Sequence, residues 1–128
     1  MFDRAEARID LDRIKANIKH LKNLSQTPVM AVVKADAYGH GLVSVARAAL
    51  DAGATSLGVA LLEEAITLRK AGITAPILAW LVPPGSDYQL AVDNEIELAA
   101  SSIKALEEIG AVKSNNRPRV HLEVDTGM

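Results

Sequence analysis

At 128 residues the chain is about one domain long, enough for a single core or for a piece of a larger one. Hydrophobic residues make up 49% and charged residues 23%, an ordinary globular balance that excludes a disordered or collagen-like chain. The 14 Lys and Arg are outnumbered by 16 Asp and Glu, for a net charge of −2, so there is no basic footprint for nucleic acid, and the lack of cysteine excludes disulfides, thiolate metal sites and a cysteine nucleophile.

The first residues, Met1 to Glu6, bring early acids and no apolar run, unlike a secretory leader. From Arg4 to Leu11 the chain alternates strictly, with Ala5, Ala7, Ile9 and Leu11 on one face and Arg4, Glu6, Arg8 and Asp10 on the other. Period two predicts a half-exposed strand. Leu11, Ile14, Ile18, Leu21 and Leu24 then recur at the spacing of one helix face, with Asp10 or Asp12 as N-cap and Pro28 beyond the end. From there a rhythm begins. Val29 to Val33 is a short apolar run ending at Lys34, and Leu42, Val45, Ala46, Ala49 and Leu50 form a helical stripe closed by Gly53. Leu57 to Ala60 is the second run, followed by a helix through Glu63, Glu64 and Leu68 that stops at Gly72. Pro76 to Leu81 is the third, broken by Pro83-Pro84-Gly85 and far too short to span a bilayer. A short helix near Asp87 to Val92 leads to a weaker run, Ile96 to Ala100, and Ser101 or Ser102 can cap a helix reaching Gly110. In that short helix Tyr88 reads as an amphipathic surface residue. After a polar loop at Lys113 to Arg117, Val120 to Val124 is the fifth run.

Apolar runs alternating with helical stripes predict right-handed βαβ units and a parallel sheet, hence an α/β protein. With one Trp, two Tyr and one Phe, the interior has to be aliphatic, which suits buried parallel strands. Five strands fit either an open doubly wound sheet or part of a (β/α)8 barrel, whose full set needs roughly 250 residues. The unfinished loop after the fifth run and the missing partner of the first strand favour the N-terminal part of a barrel. A soluble, cytoplasmic protein with no membrane or nucleic-acid partner is expected.

The stretch with chemical content is Ala31-Val32-Val33-Lys34-Ala35-Asp36-Ala37-Tyr38-Gly39-His40-Gly41. It puts a lysine at the C-terminal end of a buried strand, the edge where parallel α/β proteins keep their active sites. A desolvated lysine can form an imine with an aldehyde; alternatively, such a residue simply extends its amine past the barrel rim. Tyr38 offers a phenol, and Gly39 and Gly41 leave backbone N–H groups open at a helix start, both suited to a phosphate. Neither a dinucleotide fingerprint nor a P-loop is present. His20, His40 and His121 lie on different elements without ligand spacing, so no metal site is expected. Asp36 and Asp125 sit in strand-to-loop turns, where Asp is common for backbone reasons.

The run from Ala31 to Gly41 resembles the pyridoxal-phosphate attachment signature of alanine racemases. The similarity continues in order through Arg8 to Asp12, Ala46 to Leu50, Gly58-Val59-Ala60 with Glu63-Glu64-Ala65, Ala75 to Leu78, and Val120 to Met128. This resemblance implies a pyridoxal-phosphate-binding (β/α)8 barrel followed by a β-rich domain, in a homodimer that interconverts L- and D-alanine for peptidoglycan synthesis. It further implies that residues 1–11 form a strand packing on that β-rich domain, and that residues 12–128 are a partial barrel ending after the fifth strand.

By the same resemblance Lys34 bonds the cofactor as an imine and serves as one of two bases, Tyr38 hydrogen-bonds the phosphate, and Val32 and Trp80 line the pocket. The opposite base is implied to be a tyrosine from the other subunit's C-terminal domain, with no counterpart in these residues. Many relatives carry a carbamylated lysine where Glu123 stands; Glu123 would supply a carboxylate directly, or simply pair with a nearby cation. Two other readings remain: a non-catalytic barrel that stores or delivers pyridoxal phosphate, and a related racemase acting on another amino acid. On the leading reading the 128 residues alone are expected to be inactive.

Overall fold

The computed structural model describes residues 5–127. Five parallel strands form one sheet: β1 (Met30–Val32), β2 (Ser56–Val59), β3 (Ile77–Ala79), β4 (Ile96–Ala100) and β5 (Val120–Leu122). Four lie within their apolar runs, and β2 begins one residue before its run, at Ser56. Parallel neighbours need a crossover rather than a tight turn. The crossovers here are α2 (Lys34–Gly39) with α3 (Leu42–Asp51), then α4 (Leu62–Lys70), α5 (Tyr88–Asp93) and α6 (Ile103–Gly110), while α1 (Leu11–Ser25) precedes β1.

The strand order is β1-β2-β3-β4-β5. A doubly wound sheet reverses at a switch point; crossovers that always step to the next strand place every helix on one face and curl the sheet into a barrel wall. The sequential order therefore decides for the partial barrel.

Between sheet and helices lies an aliphatic core. Leu57, Val59, Ile77 and Leu98 point from the strands towards Ala46, Ala49, Ala65, Leu68, Ala105 and Ile109, all within 2% of complete burial. Alanine on the helices lets them settle close on the sheet, which is how so few aromatics suffice. The opposite face carries Val32, Gly58, Leu78 and Glu97, brought into line by the pairings Val32 with Gly58, Gly58 with Leu78, and Leu78 with Glu97. No helix covers that face among the described residues, and Val32 on it is 55% exposed.

The helix ends follow the sequence. Asp10 caps α1, its carboxylate accepting from the Arg13 N–H at 3.1 Å, and Ser102 caps α6, accepting from Ala105 at 3.2 Å. At the N-terminal end of the sheet the guanidinium of Arg69 donates to the carbonyls of Ile73, Ala75, Asn94 and Glu95 at 2.7–3.0 Å, stapling the segments that enter β3 and β4. Burial lowers its pKa, opposed by the charges of Glu95 and Glu97. No helix among the described residues is long and apolar enough to cross a membrane.

Two expectations need correction, in α1 and at Tyr88. Residues 5–10, part of the strand expected over 4–11, are exposed and pair with no strand among the described residues; Leu11 already belongs to α1, and Arg4 lies outside the described residues. An alternating segment becomes a strand only when another strand supplies its hydrogen bonds. In α1, Leu11, Ile14 and Ile18 pack on the core, but Leu21 and Leu24 run on into solvent. Tyr88 is not a surface residue. It is 4% exposed and its hydroxyl donates to the Val82 carbonyl at 3.0 Å, closing the loop after β3.

Candidate active site

The ladder holds the chain in the sheet up to the lysine: the N–H of Val33 donates to the Gly58 carbonyl at 2.9 Å, and the Val33 side chain is buried. Lys34 follows at the C-terminal edge of the sheet, half-buried, with Nζ 5.6 Å from the centroid of the Tyr38 ring. That separation is within cation–π reach. The lysine and the phenol singled out in the sequence thus stand together.

An ordinary helix does not bring them there. Ala35, Asp36, Ala37 and Tyr38 have φ of 52, 54, 51 and 53°, a full turn of left-handed helix built from residues with side chains. Each such residue costs roughly 1–2 kcal/mol, so the turn exists because it is held. The Ala37 N–H donates to the Val33 carbonyl at 2.9 Å, and the Gly41 N–H to the Asp36 carbonyl at 3.0 Å. The Asp36 carboxylate accepts from the Leu42 N–H at 2.7 Å, and Nδ1 of His40 lies 2.9 Å from the Ala37 carbonyl. From the next βα unit, Oε1 of Glu64 accepts from the Ala35 N–H at 2.6 Å.

One reading of this loop changes accordingly and one holds. The Gly41 N–H is engaged inside the turn, not open to a phosphate. Asp36 occupies the start of α3 with its own carboxylate, the backbone role its turn position suggested. Tyr38 is 72% exposed, and its hydroxyl has no partner among the described residues.

Val32 and Trp80 meet on the inner face through Gly58. A Cβ built on Gly58 would lie 2.8 Å from Cζ3 of Trp80, 3.1 Å from Sδ of Met30 and 3.4 Å from Cγ2 of Val32. The missing side chain is therefore the seat of the indole, which lies half-buried just beyond β3. The three features suit pyridoxal phosphate: a primary amine for its aldehyde, a flat apolar wall for its ring, and a phenol for its phosphate.

Two residues of the inner architecture were not identified from sequence. Glu97, 5% exposed in β4, has Oε1 2.6 Å from Arg119 Nη2 and Oε2 2.8 Å from His121 Nε2, joining β4 to β5. A charged residue inside an otherwise apolar run was the available signal. Glu64 lacked one, because Leu61 stands where a capping box would have Ser or Thr. Glu123 is exposed just past β5, its N–H donating to the Ala100 carbonyl at 3.0 Å.

Residues 9–128 match the family model for the alanine racemase N-terminal domain. Similar curated proteins include the alanine racemase of Salinispora arenicola, 52% identical over 126 residues, covering 97% of this chain and 34% of that protein. Among solved structures, alanine racemase from Streptomyces coelicolor A3(2) superposes with a TM-score of 0.86 at 41% identity, over 93% of this chain and 33% of that one. A histidine racemase from Leuconostoc mesenteroides subsp. sake superposes with a TM-score of 0.83 at 36% identity, over 94% of this chain and 33% of that one. The chain spans about a third of the length of these relatives.

Proposed function

Since the chain belongs to the alanine racemase family through the N-terminal domain, we propose that the complete protein is a pyridoxal-phosphate-dependent racemase that interconverts L- and D-alanine. The observation that carries this is the pairing of Lys34 and Tyr38 at the C-terminal sheet edge, beside an inner face where Gly58 makes room for Trp80. Lys34 would anchor the cofactor, Tyr38 would donate to its phosphate, and Val32 and Trp80 would flank its ring. When bound, pyridoxal phosphate supplies an electron sink that makes the α-proton of an amino acid acidic.

Inverting that carbon requires proton transfer on both faces of a planar centre. Nζ of Lys34 takes or returns the proton on one face. Tyr38 stands beside the same amine, 5.6 Å from Nζ to its ring centroid, and in this reading serves the phosphate rather than the opposite face. The second base comes from outside this chain, and a tyrosine of a partner subunit in a homodimer accounts for it. In this reading Glu123, just past β5, supplies the carboxylate that a carbamylated lysine gives other relatives. A cytoplasmic enzyme supplying D-alanine for peptidoglycan completes the proposal, and the 128 residues alone would not turn over.

A second reading concerns only the substrate. The likeness to a histidine racemase supports side-chain choice being made largely outside this segment, and a racemase for another amino acid would use the same Lys34. The test is direct. Borohydride reduction of the complete protein with pyridoxal phosphate, followed by peptide mapping, is expected to leave the pyridoxyl group on Lys34, and Lys34→Ala to abolish both the label and racemisation. A label on Lys22 or Lys70 instead rejects the assignment.

A further inference from the structure

Glu64 stands in the first turn of α4, yet its carboxylate serves two units of the barrel. Oε2 accepts from the N–H groups of Ala60 and Leu61, both at 3.0 Å, closing the turn between β2 and α4. Oε1 accepts from the Ala35 N–H at 2.6 Å. Ala35 follows Lys34 directly and is the first residue of the left-handed turn, at φ 52° and ψ 50°. Other bonds described for the turn start and end within residues 33–42; the one to Glu64 fixes it against the neighbouring unit.

Capping α4 does not account for this. An acid in a first helical turn has only its own helix's donors to satisfy, and here Oε2 alone reaches them. We propose that Glu64 is a positioning residue for Lys34: by holding the Ala35 N–H it fixes the backbone in the left-handed region at the point where the lysine side chain departs, and so sets where Nζ is presented. This rests on Lys34 being the cofactor-bonding residue. The geometry also dictates which replacements fail. Glutamine must turn its NH2 towards one of the two sets of N–H donors, where nothing can accept. Aspartate keeps the charge but is one methylene too short to span both.

The experiment uses the complete protein and reads cofactor retention and the visible absorbance of the lysine imine. Glu64→Gln is expected to weaken retention of pyridoxal phosphate roughly tenfold and to reduce imine absorbance at a fixed cofactor concentration. Adding Ala35→Gly should recover much of that loss, because glycine enters the left-handed region without steric penalty; a defect in capping α4 would not respond. If Glu64→Gln does not fold, Glu64→Asp decides, since it keeps an acid for α4 while releasing Ala35, and the same loss is expected. Unchanged retention in the folded variant, or a loss that Ala35→Gly leaves untouched, overturns the inference. Failure to label Lys34 in the unsubstituted protein removes the underlying reading as well, whereas a labelled Lys34 with an indifferent Glu64 removes only this one.

Discussion

Gly58 resists replacement for a reason outside its own backbone: the space of a side chain is already filled by the Trp80 indole. Gly58→Ala forces that ring or the Met30 thioether to move, an overpacking that costs about 1–3 kcal/mol. Trp80 is the one tryptophan in the chain, so its emission reports the displacement wherever the complete protein adds no other. The expected result is shifted emission together with a lowered unfolding midpoint; an unchanged spectrum and midpoint would contradict the packing described. Glu123 makes a different kind of claim. If its carboxylate replaces a carbamate, activity of the complete protein should survive degassing at low pH. Activity lost on degassing and restored by bicarbonate would reject that role.

Among the elements, those that buried a continuous apolar run were legible in advance, and those that depend on something outside the local pattern were not. Met30 to Val32 and Ile96 to Ala100 are strands because their runs are apolar at every position but Glu97, and Ala31, Ile96, Leu98 and Ala100 are buried under the helices. Nothing in Ala35-Asp36-Ala37-Tyr38 announces positive φ, since alanine and tyrosine have no taste for it; the turn is held by bonds within residues 33–42 and by Glu64, twenty-nine positions from Ala35. Residues 5–10 have the right alternation and no partner strand among the described residues. Lys34 and Tyr38 were legible through the signature that contains them, whereas Glu97 is signalled only by its charge within an apolar run. Tyr88 was misread because α5 has only six residues, too few for a helical period to show which face is inward.

Burial raises the pKa of the Tyr88 phenol above 10.0, and the nearby Glu108 adds to the shift. Well below pH 10 both folded and unfolded chains keep the proton, and that contribution to stability is whole. Above it the unfolded chain ionises first, so stability falls until the folded phenol titrates as well. Tyr88→Phe should therefore flatten the alkaline limb of a denaturant-unfolding series run between about pH 8 and pH 11. At neutral pH it should cost about 1–3 kcal/mol, because the Val82 carbonyl loses its donor. An alkaline limb unchanged in the variant would rule Tyr88 out as its source.

At the scale of the molecule, the sheet has one face under helices and one bare, and its outer strands β1 and β5 each have an unpaired edge among the described residues. Unpaired edges beside an apolar face invite another chain. The isolated 128 residues should elute above monomer mass in light scattering, and should not convert L-alanine above a Lys34→Ala control in a coupled D-alanine assay. A monodisperse monomer, or turnover above that control, would contradict these expectations. Strand order also sets a timetable. Ala31 pairs with Leu57, Leu57 with Ile77, and Ile77 with Ile96, so each new strand meets its mate soon after it leaves the ribosome, and loop closure is never long. The outer edge of β1 has the opposite fate. Of these five strands it is made earliest, and its outer edge stays open while β2 to β5 are added, so through that time it is the place where a nascent neighbour could intrude.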